Sequence, residues 1–428
     1  MFLLMLCLWC VRVCLLQSPR YCTFVEVFRI YADFVPDDVS YDFHPYRQVY
    51  LAVGMSYLTE EEEKERKREE QRRLSRQQII EHVKKNLIYT AFDVKWVPHS
   101  ASFAVVGQYP NNQGAISLMQ LNKGELCTQC DVKTRMPVKC CTFGHNASNW
   151  QSNITLCAGD FAGGLYLWDI ERLDTDPIFE VPHAHENIIN AVDGAQHTGP
   201  PEIASCGRDG CVKVWDVRQS NKPILALNPA NPAQARDCWT IRFGNSFDPD
   251  ERVVAAGYDN GDVKLFDLRT QKMLHEFNVG NGVCDLEFDR PDINMNKLIV
   301  SSLEGRVRVY DLRTLHPKLG YAYVEERVSN GTVWCTRALP QNREVFMSGG
   351  GGELTLCRYR YPPERTLRDP EGVAKGVAGS VEELNRAKVG DQPIHALDWN
   401  LAKEGLLVCA SFDQSVRVVL VTKLSLLQ

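Results

Sequence analysis

The chain has 428 residues, 44% of them hydrophobic and 24% charged, a composition that builds a large core and excludes a disordered or fibrous protein. Its formal net charge of −6 lacks the broad positive field that nucleic-acid binding draws on, so DNA and RNA are not expected as partners. Sixteen cysteines follow no regular spacing, and those after Cys127, such as Cys157, Cys206 and Cys409, fall in strand-like patterns where a free thiol acts as a small hydrophobe; a reducing cytoplasm fits them better than a disulfide framework.

Residues 1–76 form an N-terminal extension without a repeat. The opening MFLLMLCLWCVRVCLL has no positive charge ahead of its apolar run, is interrupted by Arg12 and is followed by no small-residue cleavage site, so it does not read as a secretion signal. It is also shorter than the roughly 20 residues of a membrane span, and no membrane partner is expected. From Thr59 to Arg76 the chain reads TEEEEKERKREEQRRLSR, with an acidic start and basic end that suit a helix dipole and Thr59 as its cap. Being polar on nearly every face, it reads as a solvated helix or a disordered linker. The sequons at Asn146, Asn153 and Asn330 are no more than chance supplies in a chain of this length.

The rest of the chain, residues 77–424, repeats one phrase: a small-residue stretch, a tight turn, then alternating apolar residues closing on an aromatic and an aspartate. The copies are GDFAGGLYLWDI from Gly159, GRDGCVKVWDVR from Gly207, GYDNGDVKLFDLR from Gly257 and SLEGRVRVYDLR from Ser302, with weaker ones at Gly107, Gly349 and Ser411. Their starts lie 45 to 62 residues apart, the length of one four-stranded blade, so the sequence predicts an all-β protein: a seven-bladed β-propeller. Within a blade the period is two, with Val212 and Val214 on one side of the sheet and Lys213 and Trp215 on the other. The last blade has chain for only three strands, so the Ile79 to Val83 segment is expected to supply its outer strand and close the ring. Tyr361 to Gln392 reads as a long loop in the sixth blade, between its third and fourth strands.

No motif for catalysis or a cofactor emerges. Cys127-x-x-Cys130 and Cys7-x-x-Cys10 each lack a second ligand pair, and the glycine run Gly349 to Gly352 lacks a following helix and a P-loop lysine. His185, Ser205, Asp209 and Trp215 bring serine, histidine and aspartate into one repeat without oxyanion donors. In order and spacing these four resemble the buried hydrogen-bonded tetrad of WD-repeat propellers, which implies a structural role. Phe266 and Tyr310 replace the tryptophan elsewhere, and Ala162 stands at the turn position of the second blade.

Aligning the repeats places two rings of residues at the mouth of the central channel, the usual binding face of a WD-repeat propeller. The innermost strands supply Phe92, Lys139, Asn190, Trp239, Cys284, Trp334 and His395; the turns supply Phe161, Arg208, Tyr258, Leu303 and Phe412. Of these, Phe161, Arg208, Trp239, Tyr258, Trp334 and Phe412 form the expected protein-binding rim, because aromatic and arginine side chains dominate interface energetics.

Longer phrases are more specific still. Arg236 to Thr240 (RDCWT), Asn281 to Asp289 (NGVCDLEFD), Leu339 to Glu344 (LPQNRE), Gly376 to Val381 (GVAGSV) and Ser411 to Val418 (SFDQSVRV) resemble the WD-repeat dynein axonemal assembly factors across residues 77–424. The resemblance implies a non-enzymatic, monomeric cytoplasmic adaptor. It would act with the prefoldin-like cochaperone complex and its RuvB-like ATPases on axonemal dynein heavy chains as clients; a link to apoptosis is also attached to that family. The Asp-x-Arg ends at Asp216 to Arg218, Asp267 to Arg269 and Asp311 to Arg313 keep an alternative open, a substrate receptor of a cullin-type ubiquitin ligase.

Overall fold

The computed structural model describes residues 76–146, 154–195, 199–219, 221–245, 248, 250–289 and 295–427; the apolar leader, the charged run before Arg76 and Asn153 lie outside them. Seven four-stranded antiparallel sheets succeed one another along the chain, and helix among the described residues is limited to three short 3-10 turns. Blade 1 runs from Thr90 to Thr134, blade 2 from Val138 to Val181, blade 3 from Ile189 to Leu227 and blade 4 from Cys238 to Asn278. Blade 5 spans Val283 to Arg327, blade 6 Cys335 to Lys388, and blade 7 combines Ile394 to Thr422 with a strand from the start of the fold. Each innermost strand packs on the next, and that of blade 7 packs on that of blade 1, which closes a seven-bladed propeller.

The core is divided into seven apolar clusters, one at each blade interface. Strand alternation explains this: Ala204 and Cys206 pack toward blade 4, whereas Ile203, their neighbour in sequence, packs toward blade 2. A blade buried on both faces needs apolar residues at consecutive positions, so the middle strands read as unbroken hydrophobic runs such as Leu406–Ser411, buried throughout. In the third strand of blade 3, Val212 and Val214 join the blade 4 side and Trp215 the blade 2 side, while Lys213 sends its ammonium to the Ala184 carbonyl at 2.6 Å.

Four aspartates on innermost strands bridge neighbouring blades. The carboxylates of Asp93, Asp193, Asp285 and Asp398 accept the N–H groups of Cys141, Phe243, Thr336 and Trp96 at 2.8 to 3.0 Å, each on the following blade. Buried backbone donors at the channel wall are thereby satisfied and the blades are held in angular register.

Ring closure is by strand exchange. Gln78–Asn86 pairs antiparallel with Ser415–Thr422, from Gln78 opposite Thr422 to Asn86 opposite Ser415. The two ends are also clamped electrostatically: Arg417, 2% exposed, meets Glu81 at 3.0 Å and Asp413 at 2.6 Å.

The segment expected to be a long loop in blade 6 instead holds three strands. Ser380–Lys388 is the fourth strand, and the insertion itself, residues 361–379, folds a small hairpin from Thr366–Arg368 and Ala374–Gly376. That hairpin packs on the long third strand of blade 5, Arg306–His316, through Thr366 to Thr314, Asp369 to His316 and Arg365 to Asp311. Proline, glycine and charge in this stretch signal turns and ion pairs, which a reading by composition merges into one loop.

Candidate protein-binding site at the channel mouth

Six of the seven innermost strands carry a register shift near their start, and the unpaired residues are Phe92, Lys139, Asn190, Trp239, Cys284 and His395. In blade 6, Trp334 takes the same place, its N–H bonded to the Gly349 carbonyl. A bulge frees one residue from the pleat and re-aims its side chain. All seven of these side chains accordingly line a funnel of about 460 Å³ at one end of the channel, together with Leu303 and Phe412 from the turns.

The walls are predominantly aromatic. Phe412 stacks on His395 with ring centroids 4.3 Å apart and meets Trp334 edge-on at 6.0 Å. Phe92 packs on Phe161 at 5.2 Å, and the Lys139 ammonium lies 5.2 Å from the centre of the Phe92 ring. On the side of blades 4 and 5, Trp239 lies over Gly282, where a Cβ would come within 2.7 Å of the indole. Burial pushes the His395 imidazole down to about 4, so at neutral pH it is an uncharged ring. Its two nitrogens are buried without a hydrogen-bond partner.

Beneath the aromatic wall the channel narrows to an ionic floor. Lys95 pairs with Asp93 at 2.5 Å, Arg242 contacts Asp193, Asp285 and Glu287, and Arg337 pairs with Asp285 and Glu287. Burial pushes the Glu287 carboxyl up to about 7 against the opposing pull of Arg337 and Arg242. A smaller space of about 170 Å³ lies on the other side of this floor, lined by the same Lys95, Arg242 and Arg337.

The expected rim divides. Trp239, Trp334 and Phe412 line the funnel, and Phe161 supports it through Phe92. Arg208 is exposed but lies outside the funnel lining, turned to Asp237 at 3.3 Å. Tyr258 does not belong: it is 6% exposed and packs in the interface core between blades 3 and 4. Its true counterpart is one residue on. The N–H groups of Phe161, Arg208, Asp259, Leu303 and Phe412 each bond a carbonyl at the entry to an innermost strand, which makes Asp259 the rim residue of blade 4. Counting back from the turn glycine gives the right register, since Gly210 and Gly261, both at positive φ, stand two residues after Arg208 and Asp259.

The four tetrad residues meet in blade 3. Trp215 Nε1–H donates to Ser205 Oγ at 2.9 Å, Ser205 Oγ lies 2.8 Å from His185 Nε2, and His185 Nδ1 lies 3.0 Å from Asp209 Oδ1. Asp209 in turn accepts the N–H groups of Glu186 and Cys211, which ties the turn to the strand entry. Ser205 has no exposed surface, so no substrate reaches its hydroxyl. In blade 2, where Ala162 offers no acceptor, Asp160 takes over and accepts the N–H groups of Ala162 and Gly164 at 2.8 and 2.6 Å. Nothing in the repeat pattern flags Asp160, because it stands two residues early.

A closed seven-bladed ring, a buried His-Ser-Asp-Trp tetrad and an aromatic funnel define the class: a WD-repeat β-propeller. Residues 129–337 match the family model described as "Nucleolar protein 10-like, N-terminal domain". At higher identity, the chain is 48% identical over 354 residues to "Dynein axonemal assembly factor 10" of Bos taurus, an alignment covering 82% of this chain and 98% of that protein. The proteins of the same name from Homo sapiens and Chlamydomonas reinhardtii are also 48% identical, with the same coverage. The chain belongs to the dynein axonemal assembly factor 10 family.

Proposed function

We propose that this protein is a non-enzymatic cytoplasmic adaptor that assists the preassembly of axonemal dynein, presenting the channel mouth to a cochaperone or client segment. The observation that carries the reading is 48% identity over 98% of relatives named as axonemal dynein assembly factors, in a fold where Ser205 and His185 are buried. The partners in this proposal are the prefoldin-like cochaperone complex with its RuvB-like ATPases and the axonemal dynein heavy chains. Phe161, Arg208, Trp239, Trp334 and Phe412 are the contact residues we assign; Asp259 takes the place of Tyr258.

The ubiquitin-ligase alternative finds less support. Arg218 folds back on Asp216 at 2.8 Å, Arg269 reaches the Asp250 carbonyl, and the carboxylate of Asp311 is taken by Arg365 of the blade 6 hairpin. Affinity purification of the tagged full chain from ciliating cells tests the choice. Dynein heavy chains and RuvB-like ATPases are the expected co-purifying proteins, and recovery of a cullin adaptor in their place would overturn the proposal.

A further inference from the structure

We infer that the funnel accepts an acidic segment of a partner protein, with one carboxylate seated on the Lys139 ammonium and adjoining apolar side chains laid against Phe92, Trp334 and Phe412. The inference rests on reading the channel mouth as the docking surface. Four cations line the funnel, and three of them, Lys95, Arg242 and Arg337, have carboxylate partners at the floor. Lys139 has none among the described residues; the contact it makes is with the face of Phe92. Asp93 is near enough to influence Lys139, but its oxygens are engaged by Lys95 and by the N–H groups of Val94 and Cys141.

An ammonium held on an apolar wall without a counter-ion is partly desolvated at rest. Burial accordingly pushes Lys139 below its ordinary value. An incoming carboxylate therefore meets a half-buried charge that has already lost part of its water, which favours that ligand over a neutral one. The same charge repels a lysine, arginine or methylated ammonium that the aromatic wall alone would attract. His395, which lines the same funnel within electrostatic reach of Lys139 and is uncharged at neutral pH, adds a flat stacking surface without a competing cation. The volume, about 460 Å³, falls within the range of roughly 300–1,000 Å³ typical of ligand clefts, so side chains of a peptide fit and a folded domain does not. Because Lys139 is the bulged residue of its strand, paired on both sides at Val138 and Cys140, its backbone position is fixed before any partner arrives.

The test is selection of a random displayed peptide library on the immobilised full chain, run in parallel on Lys139→Glu. Wild type is expected to enrich Asp or Glu beside an aromatic residue, and Lys139→Glu to enrich Lys or Arg instead. A selected acidic peptide should bind Lys139→Glu at least ~10-fold more weakly, Lys139→Arg nearly as well as wild type, and replacement of its Asp or Glu by Asn or Gln should cost a similar factor. Thermal melting of each variant checks that the ring is intact. Peptides lost on Trp334→Ala but without acidic preference, and indifferent to Lys139→Glu, would overturn the inference while leaving the docking surface standing. Peptides indifferent to both substitutions would overturn both.

Discussion

At the scale of single residues, burial decides the chemistry of this protein more than residue type does. Ser205, His185 and Asp209 have the elements of a nucleophilic triad, yet the serine hydroxyl is spent between an indole N–H and an imidazole, with no path to solvent. His395 and His145 are held at about 4 by burial, below the ordinary 6.5, so the folded state resists protonation. Their contribution to stability is whole above pH 6.5 and is lost as pH falls through about 4. Replacing His395 by Phe keeps the ring against Phe412 and removes one titrating group. Denaturant unfolding at pH 7 and pH 4.5 is expected to show a smaller loss on acidification for His395→Phe than for wild type; an equal loss would contradict the account. Residues also mark where the sequence misleads. Tyr258 is expected on the rim as the residue before the turn aspartate, but blade 4 has one more residue between Gly257 and its turn glycine than blade 3 has after Gly207, and the extra step buries the tyrosine and puts the half-buried Asp259 at the rim position.

At the scale of elements, strand number and order were legible because the third strands keep period two and the turns before them in blades 2 to 6 carry Gly163, Gly210, Gly261, Gly305 and Gly352 where φ turns positive; blade 7 has Gln414 there instead. Closure was legible as well, from a last blade one strand short and a lone strand pattern ahead of the first. The bulges were not, since a bulge breaks alternation by one residue and the apolar runs of doubly buried strands hide that break. The blade 6 hairpin was not either, because its strands are three residues long and its packing on blade 5 depends on pairs such as Arg365 with Asp311 that lie 54 positions apart. The closing strand gives a direct prediction. Arg417→Met fills similar space but leaves Asp413 and Glu81 without their shared cation, and should cost about 3 kcal/mol. Because Glu81 and Asp413 are partly exposed, water recovers some of that loss, and the figure is an upper one. Urea unfolding reads it; a variant as stable as wild type would show that strand pairing alone closes the ring.

Across the described propeller, seven interface cores in a closed ring build one scaffold, and aromatic and cationic side chains are gathered at one channel mouth. Such a scaffold suits an adaptor, whose task is to hold two other proteins in a fixed relation. The central claim is that this propeller supports axonemal dynein assembly through its channel mouth. The most direct measurement is rescue of ciliated cells depleted of their own dynein axonemal assembly factor 10, reading axonemal dynein heavy-chain abundance with wild type and with a Trp334→Ala, Phe412→Ala double variant shown to be folded. The account predicts restoration by wild type and a large deficit with the variant. Failure of wild type to rescue, or full rescue by the variant, would contradict it.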